Sequence, residues 1–125
     1  MKKLRILNEI RLGEQLEVID ETQTAELVLK AGQRYLIYQN EASEKTVIKF
    51  DREKLKMIRY LPEGTIQMEF STGLPTWTRF PGLGQLQIKT DLYRPDLENN
   101  SIQIKYSLDK NENKIADYQL TLTYE

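Results

Sequence analysis

The sequence predicts an all-β protein, a closed or nearly closed antiparallel up-and-down barrel of roughly eight or nine strands. Three observations carry that prediction. Apolar and polar residues alternate with a period of two along almost the whole chain. Turn-forming residues break the alternation at short intervals. No segment holds the longer period of an amphipathic helix. A strand with one apolar and one wet face belongs to a half-buried antiparallel sheet. Left open, such a sheet exposes its edges and its apolar face, and closure into a barrel removes both problems. A sandwich is the competing solution. The short sequential turns favour a meander.

The elements follow in order. Leu4, Ile6, Ile10 and Leu12 alternate with Lys3, Arg5, Glu9 and Arg11, and Asn8 is the one polar break in the apolar row. After Gly13 the apolar row resumes at Leu16 and Val18, then at Leu27 and Leu29, and Ala31-Gly32 makes a hairpin turn. Arg34 to Glu41 is rich in Tyr and aliphatics. Thr46, Ile48 and Phe50 alternate with Lys45 and Lys49, and Leu55, Met57 and Leu61 come next. Pro62-Glu63-Gly64 turns the chain into Ile66, Met68 and Phe70. Gly73 to Gly84 reads as an irregular stretch, holding Pro75, Pro81 and the only Trp. Leu86, Ile88, Thr90 and Leu92 form the next row, and Pro95 to Asn100 turns. Ile102, Ile104, Tyr106 and Leu108 precede the turn at Asp109 to Lys114. Tyr118, Leu120, Leu122 and Tyr124 end the chain.

At 125 residues the chain is expected to form one domain, residues 1–125, with a core that needs no staple. It has no Cys and no His. That excludes disulfides, thiolate nucleophiles, thiolate zinc sites, imidazole metal sites and a Ser-His-Asp triad. Acid–base chemistry would need a displaced carboxylate, Lys or Tyr. No P-loop or nucleophile elbow is present, so the expectation is a protein that is not an enzyme, with no catalytic residue and no cofactor.

Eighteen basic residues stand against 19 acidic ones, a net charge of -1, so no nucleic-acid partner is expected. The charges are unevenly spread. Lys2, Lys3, Arg5 and Arg11 sit against Glu9 in the first segment, Glu14, Glu17, Asp20, Glu21 and Glu26 form an acidic run, and Lys45, Lys49, Arg52, Lys54, Lys56 and Arg59 a basic one. Strands of opposite sign are expected to pair across the sheet. They could pair between protomers as easily, which makes a homodimer a candidate assembly beside an unknown protein partner. No signal peptide and no membrane span is legible, so the expected address is the cytoplasm, most simply a bacterial one.

Arg34-Tyr35-Leu36-Ile37-Tyr38-Gln39-Asn40-Glu41, Lys45-Thr46-Val47-Ile48, Met57-Ile58-Arg59, Gly84-Gln85-Leu86-Gln87-Ile88-Lys89-Thr90 and Leu120-Thr121-Leu122-Thr123-Tyr124-Glu125 stand in this order. So arranged, they resemble the YwiB-like family of small bacterial β-barrels, a calycin-like domain of unknown function. The resemblance covers most of the chain. It implies a lipocalin-type barrel, in agreement with the patterning, and brings no catalytic residues with it. The Gly73–Gly84 stretch, with Pro75, Trp77 and Pro81, departs from that family.

Five residues are candidates for ligand binding. Arg59 shares a face with Leu55, Met57 and Leu61, and a guanidinium facing an apolar interior is costly unless paired. It would anchor an anionic head group. The stronger alternative is structural: an ion pair with Glu41, or a tip reaching water at the barrel mouth. Trp77, Phe80, Tyr38 and Tyr106 would line an aromatic-walled cavity or, more simply, fill the core. Gly82-Leu83-Gly84 precedes an alternating strand rather than a helix, so it reads as a bulge or bend. Asp109 to Lys114 mimics the start of a calcium loop, but the Gly and Glu that such a loop requires are replaced by Lys114 and Leu120. No metal site is expected. The functional expectation is a non-catalytic barrel binding a small apolar or anionic ligand inside. The alternative is a protein-interaction module using the Gly73–Gly84 loop or an outer face.

Overall fold

The computed structural model describes residues 1–125. It contains ten strands and no helix: β1 (Lys2–Leu12), β2 (Gln15–Lys30), β3 (Gln33–Gln39), β4 (Lys45–Phe50), β5 (Leu55–Leu61), β6 (Gly64–Phe70), β7 (Thr76–Phe80), β8 (Gly84–Asp96), β9 (Ser101–Lys110) and β10 (Asn113–Tyr124). All neighbours are antiparallel, in the order β6-β5-β4-β3-β2-β1-β10-β9-β8-β7. The first and last strands lie side by side in the middle of that order. Lys3 and Glu125 exchange backbone hydrogen bonds of 2.8 and 3.1 Å where the termini meet.

The sheet curls until β6 and β7 meet, and the closure there differs from every other junction. No ladder joins these two strands. Instead Thr76 Oγ1 donates to the Glu69 carbonyl and Thr78 Oγ1 to the Gln67 carbonyl, each at 2.6 Å. Side-chain hydroxyls thus satisfy carbonyls that a tenth ladder would have paired, and the result is a nearly closed barrel.

The tenth strand beyond the expected range is β7, inside the stretch read as irregular. Pro75 and Pro81 bracket it, and they mask the alternation of Thr76, Thr78 and Phe80 with Trp77 and Arg79. A second departure lies in β8. A bulge between Thr90 and Leu92 shifts the register, so the inward row runs Leu86, Ile88, Thr90, then Tyr93 and Pro95. Leu92 therefore does not continue the inward row. The expected hairpin at Ala31 and Gly32 (φ 54° and 76°) is present, and the turn expected over Asp109 to Lys114 tightens to Asn111 and Glu112 (φ 52° and 67°), all four in the left-handed conformation that a tight hairpin needs.

Nineteen buried apolar residues fill the interior. Leu4, Leu36, Ile48, Leu55, Ile88, Ile102, Ile104 and Leu122 have no exposed surface, and Phe50 and Phe70 retain 1%. Large side chains from opposite walls meet in the middle. Phe70 and Tyr106 lie 4.6 Å apart, and Phe50 meets Tyr124 edge-on at 6.0 Å.

Opposite signs meet as expected where β1, with Lys2, Lys3, Arg5 and Arg11, pairs with the acidic β2, but the basic β4 and β5 do not pair with β2. The acidic β2 pairs with β1 and β3, while the basic β4 and β5 pair with each other and with β3 and β6. β3 stands between the two signs. Only Arg5–Asp20, a bidentate contact of 3.0 and 2.8 Å, joins an acid of β2 to a base.

Candidate functional site

Arg59 lies on the inward-facing row that its spacing predicts. The row runs Tyr38, Thr46, Arg59, Ile66 across β3 to β6. Its depth along the barrel axis is what differs. The row lies toward one end, where Arg59 is exposed and has no carboxylate partner, Glu41 included. Tyr38 shares that row and is half-buried. Burial pushes its phenol up, the Thr46 hydroxyl opposes the shift, Glu21 adds to it and the Arg59 guanidinium offsets part. Tyr38, Arg59 and Glu21 are therefore electrostatic neighbours.

The other three candidates go elsewhere. Trp77 faces outward and is 59% exposed. Phe80, at the far end of β7, is half-buried against the core. Tyr106 is a core residue, sandwiched between Phe70 and Tyr118, with the Tyr118 ring stacked 4.6 Å away and 2° from parallel. Burial drives the Tyr106 phenol well above the usual tyrosine range, Tyr118 adding to the rise and nearby Asn8 lowering it. Asn8 itself is the polar break in the β1 row, and its Oδ1 is buried with no hydrogen-bond partner. The five candidates do not converge on one cavity.

The arginine that does enter the barrel is Arg34, on β3. Its Nη1 donates to the Leu97 carbonyl and to the Tyr124 hydroxyl, both at 3.2 Å. Close by, Tyr93 donates its hydroxyl to the Asp51 carbonyl at 2.7 Å, with the Lys54 carbonyl 3.0 Å away. Burial, then the charges of Asp51 and Tyr124, raise the Tyr93 phenol well above its ordinary range. The Asp51 carboxylate caps the β4–β5 turn by accepting from the N–H groups of Glu53 and Lys54, which hold it below the usual carboxylate range. These groups plug one barrel end. Arg34 has the same parity as Leu36 and Tyr38, so its inward direction was open to the same argument that singled out Arg59.

Concavities lie at the barrel ends and on the outside: one of 370 Å³ opens beside the plug, lined by Arg34, Phe50, Asp51, Arg52 and Leu97, and one of 270 Å³ opens at the other end, lined by Glu63, Arg79 and Phe80. One of 240 Å³ runs over β1, β10 and β9, lined by Glu9, Arg11, Lys105, Asp117 and Tyr118. Another, of 140 Å³, is lined by Lys49, Lys54, Lys56 and Glu69. Their charges are mixed and no nucleophile stands beside a base. Asp109 is buried at 5% exposure, held by Lys89 at 3.1 Å, with its other oxygen unpartnered. No three acidic side chains converge as a cation site.

The comparisons with known proteins fit this architecture. Residues 4–122 match a family model described as a domain of unknown function, DUF1934. The chain belongs to that family. As a DUF1934 chain it is also similar to a solved structure, the YwiB protein from Bacillus subtilis, with a TM-score of 0.78. The match covers 99% of this chain and 89% of the other at 22% identity, a level at which the likeness speaks for the fold. No curated protein matches the sequence. No helix is long and apolar enough to cross a membrane.

Two outer surfaces of this DUF1934 domain stand out. The first is the β1–β2 hairpin. From Gln15 to Thr22 every residue is exposed, and Leu16 and Val18, expected to resume the apolar row, face out at 54% each. Ile19 is 41% exposed on the opposite side. β2 reaches past β3: it pairs with β1 over Gln15–Ala25 and with β3 only over Glu26–Lys30. Its second edge has no ladder partner before Glu26. The second surface is the outside of β3 to β5. An apolar row, Ile37, Val47 and Ile58, runs beside a row of Tyr35, Lys49 and Lys56.

Proposed function

We propose that this protein is a non-catalytic, cytoplasmic binding module whose recognition surface is the outside of the barrel, with protein as the ligand. The observation that carries the reading is the contrast between a filled interior and apolar groups left in water. Nineteen side chains occupy the space an internal ligand would need. Meanwhile Trp77 is 59% and Leu74 86% exposed, both within Gly73–Gly84. Trp is the residue type most enriched among those that dominate binding energy, and exposing one costs apolar hydration. An internal apolar or anionic ligand is disfavoured, because the charged groups nearest the interior are either engaged, as Arg34 is, or in water, as Arg59 is.

Site-specific photo-crosslinking tests the reading. A photoreactive amino acid in place of Trp77 is expected to give discrete protein adducts in cells. One in place of the exposed Thr123 is expected to give none. A native mass spectrum that instead retains a small molecule in the folded protein, with no adduct at position 77, would return the function to the interior.

A further inference from the structure

We propose that this chain self-associates as a dimer in which the β1–β2 arm of each protomer lies on the outer face of β3 to β5 of the other. The proposal rests on the outer-surface reading and names its partner as a second copy of the chain. Charge is the first argument. Glu14, Glu17 and Glu21 on the arm, and Lys45, Lys49, Lys54 and Lys56 on the face, take part in no ion pair within the chain. The two clusters are held apart by β3, so a single copy cannot bring them together. A net charge of -1 hides this division.

Apolar surface is the second argument. The arm carries Leu16, Val18 and Ile19 in water, and the face carries Ile37, Val47, Ile58 and the 46%-exposed Tyr60 between its lysines. On the arm Ile19 lies between Glu17 and Glu21 on one side, with Leu16 and Val18 on the other, and on the face the apolar row lies beside Lys45, Lys49 and Lys56, with Glu69 opposite Lys56 at the β6 border. Such an arrangement fixes register and excludes wrong pairings as well as adding contact. The free edge of β2 offers a rival contact, pairing with the same edge of a second copy. That arrangement sets the acidic run against itself, and like charges on facing strands oppose it. The exchange of arm for face is isologous, so it closes at two copies.

A charge-swap experiment decides the matter. Sedimentation of the wild-type chain at about 100 µM should show a dimer whose dissociation constant rises by about tenfold or more between about 0.05 and about 0.5 M salt. Glu14→Lys with Glu17→Lys on the arm should give a monomer, as should Lys49→Glu with Lys56→Glu on the face. Mixing the two variants should restore a dimer, because both contacts of the mixed pair then join opposite signs. Ile19→Ser, on the side that carries Glu17 and Glu21, tests the apolar part, and an unchanged thermal melt shows that each variant is folded. A wild-type monomer would overturn the proposal, as would a dimer indifferent to both reversals or a mixture that stays monomeric. A dimer strengthened by arm reversal and indifferent to face reversal would overturn it in favour of edge pairing, because arm reversal relieves the repulsion between facing acidic runs. If the chain is monomeric while position 77 still crosslinks to protein, the outer-surface reading survives. If both fail, that reading falls as well.

Discussion

The barrel body and the β1–β2 arm are cut from the same strands and carry the same alternation, yet they bury opposite amounts of it. In the body, Leu4 and Ile6 of β1 are 0% and 7% exposed. Six residues further along the same strand Leu12 is 42% exposed, and across the turn Leu16 and Val18 are 54% exposed. Period two states which side of a ribbon a residue takes. It does not state whether anything lies on that side. In the body the opposite wall supplies that covering, and in the arm β2 outruns β3 and no wall remains.

The largest expected break in this comparison is in the body. Phe50→Ala removes a ring with 1% exposure and should cost about 3–5 kcal/mol, read from the urea midpoint by circular dichroism. Leu16→Ala on the arm should change stability by less than about 0.5 kcal/mol in the same assay. Comparable losses at the two positions would mean that the arm is packed in solution. Next is the plug. Arg34→Met leaves the Leu97 carbonyl and the Tyr124 hydroxyl without their donor and should cost about 1–3 kcal/mol.

Alkaline pH probes the body from another direction. Burial raises the phenols of Tyr38, Tyr93, Tyr106 and Tyr118 in the folded chain. The folded state therefore holds these protons more tightly than the unfolded chain does. Their contribution is complete below about pH 10, the unfolded tyrosine value, and is lost as pH rises toward the folded values. For the deeply buried Tyr106 the loss is about 1.4 kcal/mol per pH unit in that window. Urea midpoints should fall from pH 9.5 upward by less in Tyr106→Phe than in the wild type, and equal slopes would remove Tyr106 as a cause.

A smaller effect belongs to the seam. Thr78→Val keeps the shape but removes the donor to the Gln67 carbonyl, and should cost about 1 kcal/mol. Faster amide hydrogen exchange in β6 and β7, with β9 and β10 unchanged, would show that the loss is local. The smallest effect is expected on the arm, where Asp20→Asn breaks the exposed Arg5 pair and should leave the urea midpoint where it was.

Most of the fold was legible because each strand announces itself by local alternation and each hairpin by its turn residues. Ala31-Gly32 and Pro62-Glu63-Gly64 turn where their backbone preferences require. β7 escaped because two prolines and three glycines crowd a five-residue strand. The bulge at Thr90–Leu92 escaped because an inserted residue leaves no trace in composition. It nevertheless decides which way Tyr93 points, and through it how one barrel end is sealed. The candidate site was legible in direction and not in depth. Arg59 and Arg34 have the same inward parity, but one stands at an open rim and the other inside the plug. Axial position depends on how far each strand slides past its neighbours, a property of the assembled ladder that no single strand encodes.

The side-by-side placement of β1 and β10 has a consequence for synthesis on the ribosome. Until the closing residues emerge, the nascent chain can form two separate sheets, β1 to β6 and β7 to β9, each ending in a bare border. β10 is the stitch that joins them. Translation must therefore run through β10 before those borders are protected, and a stop ahead of it leaves two sticky halves rather than a smaller barrel.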